Sequence, residues 1–437
     1  MPSSPSRRER IHLDGRTLEG GGQLVRIALA LSTITGQPIT IDHIRGNRTG
    51  KKGLKASHLA AIKYLADVSG SAVSGAEVGS SSLTYRPPPD AETRVRQNQE
   101  INLHLPTAGS ISLVFQALYP YLLHTGGGLS DEEPQPVRVT ITGGTNVSFS
   151  PSYDYISQVL VPNFARVGLP PLAVHLEKRG WATGPFSLGK VTFIIDPMDR
   201  KPESHGFPRV DLNKYRRGKI TQVDITVLAP DTLLFRGSHA DRDQENSQTA
   251  NHTYQPTTVR RLIEYETIRM LRTRLRRMPS SIVDPPARPD ENDELVPIKL
   301  HTSERTHHRS HIYILIVAHT SNGFKLGRDA LFGGQAGKIG GRRGRPTDDT
   351  SIAMELVERC VDDFVHELYD PGRRSTSEGR PPCVDEHMRD QLVIFEALGM
   401  SKSKCEADDE GKEDRRYYSL HTQTARWVCE QMLGVEW

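Results

Sequence analysis

The chain predicts an α/β fold of three tandem α/β units, with a smaller α/β domain inserted before the third. Segments alternating with period two recur beside segments of helical period in three passes along the chain. Between the second and third passes lies a stretch of different texture, rich in arginine and then in proline and acidic residues. The expected boundaries are 1–201 for units one and two, 202–308 for the insert and its linker, and 309–437 for unit three. A pseudo-symmetric body with sheets inward and helices outward is the arrangement this plan suggests.

In unit one, "PITIDHI" alternates as a strand between two helical patterns. One is "QLVRIALALS"; the other runs from about Lys55 to Val68, with Leu59, Ile62, Leu65 and Ala66 on one face. "SLTYR" closes the unit as a strand. Unit two opens with "EINLHL" and a helix carrying Ile111, Val114, Phe115, Leu118 and Leu122. The strand "VRVTIT" follows, then a helix through "YISQVLVPNFARV", then the strands "LAVHLE" and "KVTFII". Pro162 is expected to kink or divide that second helix, because it lacks the N–H and clashes with the preceding turn.

The insert holds the strand "TQVDITVL", the long arginine-rich helix "TTVRRLIEYETIRMLRTRLRRM" and the linker "PPARPDENDE". Unit three brings the buried strand "IYILIVAHT" and a helix from about Ser351 to Leu368. The helices "DEHMRDQLVIFEAL" and "HTQTARWVCEQML" complete it. Two polar loops, "GGQAGKIGGRRGRPTDD" and "SKCEADDEGKEDRR", read as flexible.

Bulk composition narrows the function classes. With 56 basic and 53 acidic side chains the formal charge is only +3, so any polyanion site must come from local clustering. Cys360, Cys383, Cys405 and Cys429 form no C-x-x-C pair, which fits reduced thiols rather than a disulfide framework. No apolar run reaches the ~18 residues of a membrane span, and "MPSSPSRRERI" lacks the apolar centre of a signal peptide. A soluble protein of the nucleus or cytoplasm is expected.

Several loops could carry chemistry. In "LDGRTLEGGGQLVR", Gly20 to Gly22 lead into a helix whose free N–H groups could face an anion, with Glu19 before them and Gln23 and Arg26 on the first turn. The loop equally fits a tight turn that needs glycine for backbone reasons, and it matches neither a Walker A loop nor a dinucleotide fingerprint. In "IRGNRTGKKGLKASHL", Arg45, Arg48, Lys51, Lys52 and Lys55 form a basic loop with His58 behind it. It could hold a phosphate or simply be solvated. "TGGTNVSFSPSYDY" sits where strand meets helix, and "HMRDQL" puts His387, Arg389, Asp390 and Gln391 on the first turns of a helix. His421 lies just ahead of the last apolar helical pattern. If Thr422 or Thr424 caps that helix, the imidazole sits at its positive end, as a nucleophile or as a structural residue. "ERTHHRSH" offers His307, His308 and His311, without the cysteine or carboxylate partner a zinc site would use.

These segments together resemble the RNA 3'-terminal phosphate cyclases. The match lies in "LDGRTLEGGGQLVR" with "ITGQPITIDHIRGNR", in "TAGSISLVFQALYP" with "GGTNVSFSPSYDY", in "HMRDQLVIFEAL" and in "LHTQTARWVCEQ". It implies three tandem repeats like the C-terminal domain of translation initiation factor three, with a small α/β insert. It further implies ATP-dependent conversion of an RNA 3'-phosphate to a 2',3'-cyclic phosphate through a covalent histidine–AMP intermediate, with His421 as nucleophile. ATP and a divalent metal, Mg or Mn, are the implied cofactors, and RNA with a 3'-phosphate end is the partner. By the same resemblance Gln116, His387, Met388, Arg389, Asp390, Gln391, Pro151 and Tyr155 are nucleotide-binding positions. Gln23, Arg26, Arg45 and Arg48 lie near the reacting phosphates, and Glu19 near the metal. The family's glycine triplet is missing from "RGWATGPFSLGKV", and Ala56 and Ser57 stand where Arg and Gln are usual. A related branch works in ribosomal RNA processing and ribosome assembly without cyclase activity and lacks the histidine; the intact context of His421 argues against that branch, which stands as the alternative reading. Enolpyruvyl transferases share the repeat architecture, but no basic phosphoenolpyruvate site can be placed here.

Overall fold

The computed structural model describes residues 9–88, 99–125, 135–198, 207–234, 257–283, 295–333, 348–373, 380–400 and 413–437. The expected linker "PPARPDENDE" lies outside these residues, as do all but the ends of the two expected flexible loops.

Unit one runs β1 (Ile11–Asp14), α1 (Gln23–Thr35), β2 (Ile39–Asp42), α2 (Ala56–Ser69), β3 (Ala72–Ser74), β4 (Leu83–Arg86). Its sheet has the order β1-β2-β4-β3, with β1 and β2 parallel and the β2–β4 and β3–β4 pairs antiparallel. Unit two repeats the plan: β5 (Glu100–His104), α3 (Ile111–Thr125), β6 (Val137–Gly143), a helical segment, β7 (Leu172–Lys178) and β8 (Gly189–Ile195), in the order β5-β6-β8-β7. The helical segment comprises α4 (Tyr153–Tyr155), a π-turn over Ile156–Leu160 and α5 (Val161–Arg166), so it is divided just before Pro162 as the ring geometry demands.

A third four-stranded sheet combines β9 (Ile220–Pro230), β10 (Ile298–Thr306), β11 (Tyr313–Thr320) and β12 (Lys325–Leu331), in the order β10-β9-β11-β12. The helices α6 (Val259–Leu275), α7 (Asp349–Leu368), α8 (Glu386–Gly399) and α9 (Leu420–Leu433) complete the chain. The mixed α/β class and the repeated plan are as expected, with three four-stranded sheets. The division at 308 is not. It would cut one sheet in two, because β11 pairs along its whole length with β9, which the sequence reading assigned to the insert. One face of this sheet, with Val223, Ile225, Ile314 and Ile316, is buried with α6 and α7. The other, with Leu228, Tyr313, Leu315 and Val317, joins the core of units one and two.

The expected layering is also reversed. Ten of the thirteen residues of α1 and twelve of the fifteen of α3 are buried, and α1 packs on α2, α3 and α9, while α8 packs on α9. In units one and two the helices therefore form the interior, whereas the third sheet is buried on both faces with α6 and α7 outside it. β5 and β7 alternate between buried and more open positions, with one sheet face toward water. An apolar helix surface all round must be covered on all sides, whereas an alternating strand needs only one partner layer. No helix among the described residues is long and apolar enough to cross a membrane.

Candidate active site

The N-terminal ends of α1, α8 and α9 converge, and most of the candidate residues sit on their first turns. In α9 the cap is Ser419, whose Oγ accepts from the Thr422 N–H at 3.0 Å. The helix thus starts at Leu420, earlier than the apolar pattern implied, and His421 lies inside its first turn. Neither Thr422 nor Thr424 is the cap. Thr424 instead donates to Leu420 O at 2.7 Å and accepts the Glu19 N–H at 3.1 Å, which ties α9 to the glycine-rich loop.

That tie brings Glu19 to the nucleophile candidate. His421 Nδ1 lies 3.7 Å from Glu19 Oε2, with the imidazole side chain 44% exposed and the carboxylate 7% exposed. Nδ1 itself is buried without a hydrogen bond, so the exposed part of the ring is the opposite, Nε2 edge. Burial pushes the imidazole below its ordinary pKa; Glu19 opposes this, while Arg26 and Arg48 act with burial. The ring is neutral at pH 7. A proton on Nδ1 would face the carboxylate and leave the Nε2 lone pair toward the cleft.

The other Glu19 oxygen accepts from Arg48 Nη2. Arg45 adopts φ 57° and donates through Nη1 to Lys51 O at 2.7 Å and Gly53 O at 3.3 Å, which shapes the basic loop. The Arg26 guanidinium makes no hydrogen bond or ion pair among the described residues. Burial lowers it to about 10, with Arg48 adding to the effect and Asp390 and Glu19 opposing it. Burial and the same basic neighbours also lower Lys55. Cations thus outnumber the ionised carboxylate in contact with them, an arrangement that calls for an anion. The backbone reading of the glycines holds: Gly20 takes φ 60°, and a Cβ on Gly21 would strike the Glu19 carboxylate.

Beyond Arg26 a cavity opens between α1, α3 and α8. Gln23, Arg26, Gln116, Asp390 and Gln391 supply its polar lining, and Phe115, Tyr119, Phe164 and Phe395 its wall. Gln391 donates to Asp390, whose carboxyl burial raises to about 8, so it is protonated at neutral pH.

The remaining candidates are used elsewhere. Met388 is fully buried in the core. Arg389 donates to Glu413 and Glu396, each at 2.7 Å, as a buried structural cation. Neither side chain lines the cavity: Arg389 projects from the side of α8 opposite Gln391, and Met388, one turn before Gln391, is packed into the core. Tyr155 spends its hydroxyl on Asp385 at 2.7 Å, and the Pro151 carbonyl accepts from Ser112 at 2.7 Å. His387 Nε2 accepts from Arg328 Nη1 at 2.9 Å at the cleft edge.

Sequence reading missed Asp385 and Arg328. Asp385 caps α8 and is of a preferred capping type directly ahead of the helical pattern, a signal that was available. Arg328 comes from β12, far along the chain, and carries no local signal. Away from the site, His311 stacks on Trp181 with ring centroids 4.7 Å apart and bonds the Thr183 and Pro185 carbonyls. Its neighbourhood is a packed loop, and among the described residues no three His, Cys, Asp or Glu side chains are grouped to hold a metal.

A family model described as RNA 3'-terminal phosphate cyclase matches residues 17–437. The relative of that name in Pyrobaculum aerophilum is 32% identical over 428 residues, 98% of this chain and 93% of its own length. The one in Drosophila melanogaster is 28% identical over 429 residues, 98% and 91% of the two chains. The one in Koribacter versatilis is 36% identical over 248 residues, which cover 56% of this chain and 61% of the relative, less than two thirds of its length.

Proposed function

We propose a function from one premise: the chain belongs to the RNA 3'-terminal phosphate cyclase family. The protein converts an RNA 3'-phosphate to a 2',3'-cyclic phosphate at the expense of ATP. His421 Nε2 attacks the α-phosphorus of ATP; an N–P bond forms, the bond to the bridging oxygen breaks, and pyrophosphate leaves. AMP then passes to a 3'-phosphate oxygen of the RNA, freeing the imidazole. The neighbouring 2'-hydroxyl attacks the 3'-phosphorus and loses its proton, and AMP departs as the ring closes.

One observation carries this reading. His421 stands in the first turn of α9 with one edge buried against Glu19 and the other open, beside Arg26 and Arg48. The nearby helix end and cations stabilise charge spreading over the transferred phosphoryl group. Gln116, Asp390 and Gln391, gathered beside Arg26, offer donors and acceptors to the nucleotide. Glu19 Oε2 has no hydrogen-bond partner and fits a single carboxylate ligand of Mg or Mn, with substrate phosphates and water as the other ligands. Such an ion, when bound, neutralises phosphate charge.

The test is incubation with ATP labelled at the α-phosphate and a divalent metal. An acid-labile, alkali-stable protein adduct is expected, lost in His421→Ala, and RNA ending in a 3'-phosphate should then yield a cyclic end. No adduct on folded wild type, or one that survives His421→Ala, overturns the reading.

A further inference from the structure

We propose that His58 touches the substrate, its Nε2–H donating a hydrogen bond to a phosphate oxygen held at the N-terminus of α1. This rests on the cyclase reading and adds a residue to it. The Lys55 backbone N–H donates to His58 Nδ1 at 3.1 Å. A backbone amide cannot accept, so Nδ1 carries no proton and the neutral ring carries it on Nε2.

The ring is only 4% exposed, and Nε2 has no hydrogen-bond partner among the described residues. Its position is marked by Gly22, where an added Cβ would lie 2.6 Å from His58 Nε2 and 3.0 Å from Arg26 Nη1. Gly22 is itself the cap of α1, with no side-chain cap and no acid in the first turn. Three kinds of donor therefore converge with no bonded acceptor: the first-turn N–H groups of α1, the Arg26 guanidinium and the His58 Nε2–H; the nearest carboxylate, Glu19, lies on the Gly21 side and accepts from Arg48 but from none of these. An oxyanion is what this corner lacks. Burial first, and Arg26, Arg45 and Lys55 after it, hold the ring's pKa down to about 3, so the donor persists across the neutral range.

Two phosphates could fill the corner, one from the ATP triphosphate and the other the RNA 3'-phosphate. His58→Asn and His58→Gln separate the ring's two roles. Asn supplies an acceptor where Nδ1 stands and nothing where Nε2 stands; Gln reaches the Nε2 position with an N–H. Calorimetric titration would use α,β-methylene-ATP and a short RNA ending in a 3'-phosphate, with adenosine and the same RNA ending in a 3'-hydroxyl as controls. His58→Asn should weaken a phosphate-bearing probe by about tenfold, leave the controls unchanged, and be partly rescued in His58→Gln. Weakening of the ATP analogue assigns His58 to the triphosphate; weakening of the RNA alone assigns it to the 3'-phosphate.

Equal binding by wild type and His58→Asn overturns the role of His58 and leaves the cyclase reading standing. Equal weakening of adenosine also overturns it, since that marks a purely structural cap. A wild type that binds neither phosphate probe overturns the cyclase reading and this role together. Should the variants fold poorly, the His58 Nε2–H resonance of the wild type should move when a phosphate probe is added. A stationary resonance with both probes bound overturns the proposal.

Discussion

At the scale of single residues, reactivity here follows from what each polar atom lacks. His421 Nδ1 and Glu19 Oε2 are both buried without a hydrogen bond, and they face each other. Because burial lowers the His421 pKa from 6.5, the nucleophilic neutral ring persists below the usual histidine midpoint. Single-turnover adenylation should therefore hold its plateau through pH 7 and fall only below pH 6.5, as imidazolium accumulates. The Glu19 carboxylate is the main charge holding that pKa up, so an NMR titration of Glu19→Gln should find the His421 midpoint lower than in wild type. A midpoint that rises, or does not move, would show that the carboxylate does not reach the ring. Sequence brought Glu19, Arg26 and His421 forward together through their motifs. It could not say that Arg389, one position before Asp390, turns to Glu396 and Glu413 instead, because Glu413 is brought there only by folding.

Helix caps set where the site residues stand at the scale of elements. Asp385 is the most connected cap: its carboxylate accepts from Met388 N at 2.9 Å, from the Tyr155 hydroxyl at 2.7 Å and from Gly327 N at 2.8 Å. It joins α8 to α4 and β12, and all three donors are buried. Removing the acceptor leaves them unsatisfied, at ~1–3 kcal/mol each. Asp385→Ala should lose ~3 kcal/mol or more in denaturant unfolding, and Asp385→Asn, which keeps one acceptor, should lose less. A loss under ~1 kcal/mol for the alanine variant would show the junction is held by packing alone. The long helices were legible because their apolar period runs over several turns. β10 and β12 were not, since IKLHTSERT and KLGRDAL carry charged and polar residues where an alternating apolar pattern would show. The start of α9 was placed late because Leu420, His421 and Gln423 are polar or exposed, and the Ser419 cap outranks the apolar pattern as the start signal.

The whole molecule depends on contacts that cross the expected domain boundaries. β9 is flanked by β10 on one side and β11 on the other, so deleting 202–308 removes the centre of a sheet and exposes an edge of β11. That deletion should give an insoluble or loosely packed chain, read by soluble yield and loss of near-ultraviolet circular dichroism. A soluble product with native near-ultraviolet signal would show that 202–308 is a separable insert after all. By itself the sequence determined the α/β class, the repeated plan, the main helices and the motifs that meet at the site, because period, capping residues and loop glycines act over a few neighbouring residues. Tertiary structure decided that the helices of units one and two lie inside, that β9 and β11 share a sheet, and which polar atoms of the site are left open. Those outcomes depend on burial and pairing between segments far apart in the chain, where each surface and each donor is satisfied by a partner that no local pattern identifies.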